Sequence, residues 1–180
     1  TGAMAVLNLD ETRLSSFTIP SISLILGTRL FNKEKYENAY SVLSKIPDNH
    51  KFAIEASLIK GTIRNLNRLN IEASNLYDFC AQNAHHQESL VNNEKLKRYY
   101  NYLKETCLIR GARIKIEDKK YEEALEIYQK IDKRSYRWPY VLLDKAWANY
   151  YLSDYNRALG LTVTYKSPLL ESYFFPESEV

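Results

Sequence analysis

The chain has 180 residues, enough for one domain with a sizeable core. Hydrophobic residues make up 45% of it and charged residues 26%, the balance of an ordinary globular protein, and no run is apolar and long enough to cross a bilayer. The net charge of +3 is too small to indicate a nucleic-acid or anionic-membrane partner without a concentrated patch.

Eight helices are predicted in chain order, because glycine and proline are rare and long stretches carry good helix formers. Pro20 and Pro139 suit the first turn of a helix, and Pro47 suits the residue after one. The predicted helices form pairs whose first members are 21–32, 51–66, 93–117 and 139–152, and whose second members are 36–45, 72–84, 121–131 and 155–164.

Small residues recur with one spacing along these pairs. Four small residues are each followed by an alanine twelve positions later: Gly27 by Ala39, Gly61 by Ala73, Ala112 by Ala124, and Ala146 by Ala158. The offset between pairs is 34 residues from 27 to 61 and from 112 to 146, and 51 residues, or 34 + 17, between the central two. Two packed helices approach closely where a small side chain leaves room, so each small pair indicates a crossing point.

This register resembles the tetratricopeptide repeat (TPR), a 34-residue helix-turn-helix with small residues at its eighth and twentieth positions. The segments 36–43 and 121–128 are the best individual matches, whereas Ser23, Ser57, Leu108 and Leu142 stand where the family usually has tryptophan. The resemblance implies an all-α, right-handed α-solenoid of about four antiparallel helix pairs, with one inserted or extended helix. Segment 167–177 is similar to a segment of large bacterial TPR proteins.

The register predicts a single TPR-like domain over residues 1–180. Residues 1–5 resemble a scar of protease cleavage, and 167–180 read as the start of a truncated fifth repeat, so we expect a fragment of a larger protein. The absence of a targeting segment here therefore says nothing about the native protein. The predicted repeats are 20–50, 54–84, 105–136 and 139–166, with an insertion at 85–104. The insertion is expected to lengthen a helix and is either a docking surface or a solvated spacer.

Few residues indicate chemistry. The sequence contains no pattern typical of a nucleophile with its base or of a phosphate-binding loop, so we predict a protein that is not an enzyme and has no cofactor. Adjacent histidines point in different directions, so His85, His86 and Cys80 are not expected to bind a metal. Cys80 and Cys107 allow at most one disulfide, which a helical core of this size does not need, and we expect two packed thiols.

The TPR resemblance implies that the first helices line a concave groove that holds the partner. Leu24, Thr28, Leu58 and Leu143 stand where one branch of the family grips a terminal carboxylate, so a clamp of that kind is not expected. Tyrosine and tryptophan often anchor interfaces, although such a stripe is also typical of a helix core. The predicted partner-binding residues are Phe31, Asn65, Arg113, Tyr140, Trp147, Tyr150 and Tyr151.

The predicted function is a non-catalytic scaffold that binds a protein or peptide. One alternative is a structural module that assembles with copies of itself through an apolar face uncovered at its end. Another, ranked last, is single-stranded nucleic-acid binding by lysine, arginine and tyrosine residues at 95–102 and 130–138, whose field nearby acidic residues would reduce. The sequence leaves the compartment unknown, with the bacterial cytoplasm and periplasm both open.

Overall fold

The structure is a computed structural model that describes residues 19–165, and all regular secondary structure in that range is helical. The all-α prediction is therefore confirmed for these residues. The predictions for residues 1–5 and 167–180 lie outside the described range. The eight helices are α1 Pro20–Asn32, α2 Tyr36–Leu43, α3 Ala53–Leu66, α4 Asn70–Leu90, α5 Glu94–Glu117, α6 Tyr121–Tyr128, α7 Trp138–Tyr151 and α8 Tyr155–Tyr165.

The extra residues between the second and third pairs lengthen two helices rather than one. Helix α5 agrees with its prediction to within one residue, but α4 continues six residues past the predicted end at Ala84. Asn93 begins α5, because its side-chain oxygen accepts hydrogen bonds from the backbone N–H groups of Lys95 at 2.9 Å and Leu96 at 3.2 Å. Only residues 91–93 separate the two helices.

The same three-residue turn joins the helices of each of the four pairs. Its middle residue has a positive φ near 60° and is never glycine; the four residues are Glu34, Arg68, Lys119 and Ser153. Each lies seven positions after the first small residue of its pair. In each turn the backbone N–H of the third residue donates to a carbonyl five positions earlier, as Lys120 does to Lys115 at 2.7 Å. A left-handed residue with this hydrogen bond is a common helix ending.

The small residues lie at the contact between paired helices, as the spacing predicts. All eight are buried. A Cβ atom added at Gly27 would overlap the side chain of Leu43, and one added at Gly61 would lie 2.8 Å from the ring of Tyr77. Leu43 and Tyr77 are both sixteen positions after their glycine, so one register describes both contacts.

The described residues divide into two compact units, one ending at Cys107 and the other beginning at Leu108. In the first unit, two clusters pack α1 and α2 against α3; Leu26, Val42 and Ile63 belong to one of them. In the second unit, a cluster that includes Ala112, Tyr128 and Val141 packs α5 and α6 against α7. In both units the core therefore lies where a helical pair meets the next helix. The single-domain organisation of the chain stays a prediction.

The expectation of two packed thiols is wrong. Cys80 of α4 and Cys107 of α5 are fully buried, as expected, but they form a disulfide with a Cα–Cα distance of 6.1 Å. The prediction rested on how much core a chain of this length can bury. The disulfide forms for a different reason, because the inserted residues bring Cys80 and Cys107 face to face across α4 and α5.

Candidate partner-binding surface

Five of the seven residues predicted to bind a partner lie in the second unit, and all but Arg113 are on α7. Along α7, residues 140, 144, 147 and 151 follow one another at intervals of three or four. Tyr140, Trp147 and Tyr151 therefore share one face of the helix, together with Asp144. Tyr140, Trp147, Tyr150 and Tyr151 are each between 40% and 53% exposed. An aromatic stripe of this kind could have been core, and here it is half open to solvent.

Five rings that contact one another form what we call the aromatic surface: the half-buried Tyr121 and the exposed Trp147, Tyr150, Tyr151 and Tyr155. The ring of Tyr151 stacks on Tyr121 with centroids 5.0 Å apart and planes inclined by 13°. It also stacks on Trp147 at 6.2 Å, and Tyr150 meets Trp147, Tyr151 and Tyr155 edge to face at 5.6–6.0 Å. Such contacts hold the rings in place while leaving much of their area exposed.

A hydrogen-bonded group made of the exposed Arg113, the half-buried Asp144 and the buried Tyr128 lies beside this surface. The Nε of Arg113 donates to a carboxylate oxygen of Asp144 at 2.8 Å, and the hydroxyl of Tyr128 donates to the same oxygen at 3.0 Å. Burial lowers the pKa of Arg113, but the hydrogen bond and charge of Asp144 outweigh it and raise that pKa overall. Burial and the same carboxylate raise the pKa of Tyr128. Arg113 is thus already paired within the unit.

The two remaining predicted residues lie in the first unit and are not part of the aromatic surface. Phe31 is half-buried at the end of α1, where it packs against a core cluster and lies 5.6 Å from the ring of Tyr36. Asn65 is half-buried in the last turn of α3, and its carbonyl accepts the turn hydrogen bond from Arg68 at 2.8 Å. Phe31 therefore contributes to packing.

An apolar groove opens between α7 and α8, next to the aromatic surface. Its volume is about 540 Å³. Tyr155 and Leu159, both about 60% exposed, form part of its rim. The lining residues are Leu143, Ala146, Trp147, Tyr150, Tyr155, Ala158, Leu159 and Thr162. Trp147 and Tyr150 therefore belong to the aromatic surface and to the groove.

Several residues of this region were not predicted as site residues. Asp144 carries no motif, and its pairing with Arg113 spans 31 residues, so only the fold brings the two together. Tyr121 and Tyr155 each lie nine positions after the first small residue of their pair, as Tyr36 does, and this positional signal could have placed them beside α7. The exposure of Tyr155 could not be read from it, because the equivalent Tyr36 and Tyr121 are half-buried.

The described residues contain no group of three or more histidine, cysteine, aspartate or glutamate side chains that could hold a metal ion. His85 and His86 are exposed, and the nearest charged partner of His85 is Glu88 at 3.7 Å. Among residues 19–165, no helix combines the length and hydropathy needed to span a membrane.

Acidic side chains lie against part of the basic and tyrosine-rich stretch at the start of α5 and against Lys104 beyond it. Lys97 lies 3.3 Å from Glu94, and Lys104 lies 2.7 Å from Glu88. The hydroxyl of Tyr99 donates to Glu55 at 2.6 Å, and burial together with this carboxylate raises the pKa of Tyr99. These pairs reduce the positive field that a nucleic-acid backbone would need.

Comparison with known proteins adds no family. No protein-family model matches the chain, and no curated protein matches its sequence at a significant level.

Proposed function

We propose that this chain is a TPR-type helical repeat protein, built as a right-handed α-solenoid, whose function is to bind a protein or peptide partner without catalysis. The aromatic surface of α7 is the proposed binding site. The observation that carries this proposal is a set of rings held in mutual contact, of which Tyr121 is half-buried and Trp147, Tyr150, Tyr151 and Tyr155 are exposed.

Support for the repeat assignment comes from features that share the 34-residue register without being used to find it. The positive-φ residue of every turn falls at the same register position, and so does the hydrogen bond that closes the turn. In the first pair, α1 and α2 pack together against α3. In the third pair, α5 and α6 pack together against α7. Repeats that bury surface against the following unit are typical of solenoids.

Two features of the aromatic surface support partner binding: four of its rings are exposed, and contacts between the rings hold them in place. Large apolar patches are uncommon on the surface of monomeric proteins and often mark interaction sites. Tyrosine and tryptophan bury much area on binding with little loss of side-chain entropy, and the ring contacts already restrict Trp147 and Tyr151 before a partner arrives. The Arg113–Asp144 pair adds polar groups at the edge of the surface, where orientation and specificity are set.

The test is retention of a partner from a lysate of the native organism by the parent chain and by a Trp147→Ala, Tyr151→Ala double variant. Loss of two central aromatic anchors at a binding hot spot is expected to weaken affinity by about 30-fold or more. The retained protein is then identified by mass spectrometry, and its affinity for purified parent and variant is measured by calorimetry.

The matched control is Tyr136→Ala, which removes a tyrosine that is 55% exposed in the same unit and is not part of the aromatic surface. We expect it to bind like the parent, and circular dichroism should show equal helix content in all three proteins. Retention of the same partners by the double variant would rule out the aromatic surface as the binding site.

Self-assembly is the second candidate, and the groove between α7 and α8 favours it because a second copy could cover that apolar surface. Light scattering over a range of protein concentrations separates the two candidates. A concentration-dependent dimer that the Trp147→Ala, Tyr151→Ala variant does not form would support self-assembly.

A further inference from the structure

The groove between α7 and α8 corresponds by register to surfaces that are covered in earlier pairs. In the first unit, the positions that match Leu143, Tyr150 and Leu159 are Leu24, Phe31 and Tyr40, and all three are half-buried and packed against clusters that include residues of α3. In the fourth pair, Tyr150 is 52% exposed and Leu159 is 64% exposed. Among the described residues, no helix covers the fourth pair in the way that α3 covers the first pair.

The same kind of contact is found in the first and third pairs, where the next helix covers the corresponding surface. In the first unit, Leu43 of α2 and Ala56 of α3 belong to one cluster and are almost fully buried. In the second unit, Tyr128 of α6 and Val141 of α7 belong to one cluster and are fully buried. The two residues of each pair are thirteen positions apart. The recurring contact thus joins the second helix of a pair to the next first helix.

The same register continues into the C-terminal segment. Thr162 lies 34 residues after Tyr128 and lines the groove, and Phe175 lies 34 residues after Val141. The sizes are exchanged: a large Tyr128 meets a smaller Val141, whereas a small Thr162 would meet a large Phe175. Core volume is conserved when a large and a small residue trade places across a contact.

The chain after α8 is long enough to reach the groove. Nine residues, 44–52, connect α2 to α3, and nine residues, 129–137, connect α6 to α7. The same number after Tyr165 reaches Phe174, and the sequence continues to Val180. The segment also carries apolar residues suited to an apolar groove, namely Leu169, Leu170, Tyr173, Phe174 and Phe175.

We propose that the C-terminal segment of this same chain docks on the groove between α7 and α8, with Phe175 inserted beside Thr162. The docked segment covers Leu143, Tyr150 and Leu159, so the part of the aromatic surface that stays open to a partner is the Tyr121–Tyr151 stack on the neighbouring face of α7. This proposal concerns a contact within the chain and holds whether or not α7 also binds a partner.

The test is a disulfide cross-link in the full chain between Thr162→Cys and Phe175→Cys. The matched control is Thr162→Cys with Phe174→Cys, because Phe174 has the register position of the exposed Tyr140 rather than that of the buried Val141. The natural cysteines do not compete, since both are buried in the disulfide. Under mild oxidation at low protein concentration, we expect the 162–175 pair to link within the monomer and the 162–174 pair to remain mostly unlinked.

Three results would overturn the proposal: equal linking of the two pairs, no linking of the 162–175 pair, or linking only between chains, which would make a second copy the occupant. Peptide mapping by mass spectrometry distinguishes linking within a chain from linking between chains. Circular dichroism confirms that each variant is folded.

Tryptophan fluorescence provides a second readout without new cysteines. In a Trp138→Phe background, Trp147 is the single tryptophan. Trp147 lines the groove, so loss of the inserted ring in Phe175→Ser should shift its emission to longer wavelength and make it easier to quench with acrylamide. Phe174→Ser removes an equal ring from the neighbouring position and should leave the emission unchanged. Equal shifts in the two variants, or no shift in either, would contradict the insertion of Phe175.

Discussion

Gly27 lies where α1 crosses α2, and its missing side chain makes room for Leu43. Leu43 is fully buried, so it has little freedom to move away from a new Cβ atom. Gly160 of α8 is different, because a Cβ atom added there would meet no heavy atom of the described residues within 4 Å outside its chain neighbours and the backbone of its own helix. Two helical glycines of one chain therefore have opposite structural roles.

We expect Gly27→Ala to lower the free energy of unfolding by about 1–3 kcal/mol, because overpacking outweighs the gain in helix propensity. Gly160→Ala is the matched control and should raise the free energy of unfolding by about 1 kcal/mol, since only the propensity changes. Urea denaturation followed by circular dichroism measures both values. A stabilising Gly27→Ala would show that the two helices can separate at this point without loss.

At the residue scale, the sequence predicted the crossing points because they depend on side-chain size: the eight positions hold only glycine and alanine, and all eight are buried. It predicted Trp147, Tyr150 and Tyr151 as candidates for the surface but could not predict their exposure. Exposure depends on what packs against α7, and no local pattern carries that information.

At the scale of helices and turns, the four turns share a left-handed middle residue that is glutamate, arginine, lysine or serine. Glycine is the residue usually found at this place, because a Cβ atom is unfavourable at positive φ. The sequence therefore gave no signal for the turn geometry. The packing of each helix pair holds the middle residue of the turn at positive φ, although its Cβ atom makes that φ unfavourable.

We expect Lys119→Gly to raise the free energy of unfolding by about 0.5–1 kcal/mol, because glycine relieves the unfavourable φ of 61° while losing some entropy on folding. Lys119→Ala is the control: it removes the same charged side chain but keeps the Cβ atom, so it should show no such gain. Thermal unfolding of the three proteins provides the comparison. Equal effects of glycine and alanine would mean that φ at this turn is not the source of the strain.

Helix positions were predicted well because they follow from local propensity and from the position of prolines. The bounds of α1, α5 and α7 agree with the predictions to within one residue. The end of α4 was placed too early, since the 34-residue spacing used for the prediction has no place for residues 85–90. Their helical state follows from the absence of proline and glycine and from packing with α5 at Lys104 and Glu88.

At the scale of the whole molecule, the disulfide is the covalent feature that the sequence did not predict. By register, Cys80 corresponds to Ile46 and Ile131, and Cys107 corresponds to Ala56 and Val141. Ile46 and Ala56 share one core cluster, and Ile131 and Val141 share another. The disulfide thus stands where the other repeats have an apolar contact.

We expect reduction of the disulfide to lower the free energy of unfolding by about 3.5 kcal/mol, the loop entropy for a closure of 27 residues. The Cys80→Ala, Cys107→Ala variant should have the stability of the reduced protein and should not respond to a reducing agent. Urea denaturation with and without reductant measures this, and thiol titration should find no free thiol in protein prepared without reductant. Disulfides persist in oxidising compartments such as the bacterial periplasm.

Propensity, proline placement and side-chain size act locally along the chain, so the residues alone were enough to predict the eight helices, their order, the 34-residue register and the eight small residues at the crossings. The folded structure was needed to find the Cys80–Cys107 disulfide, the Arg113–Asp144 pair and the stack of Tyr121 on Tyr151. Each of these joins residues 27–31 positions apart, and such contacts depend on how packed helices place their faces, which no window of the sequence contains.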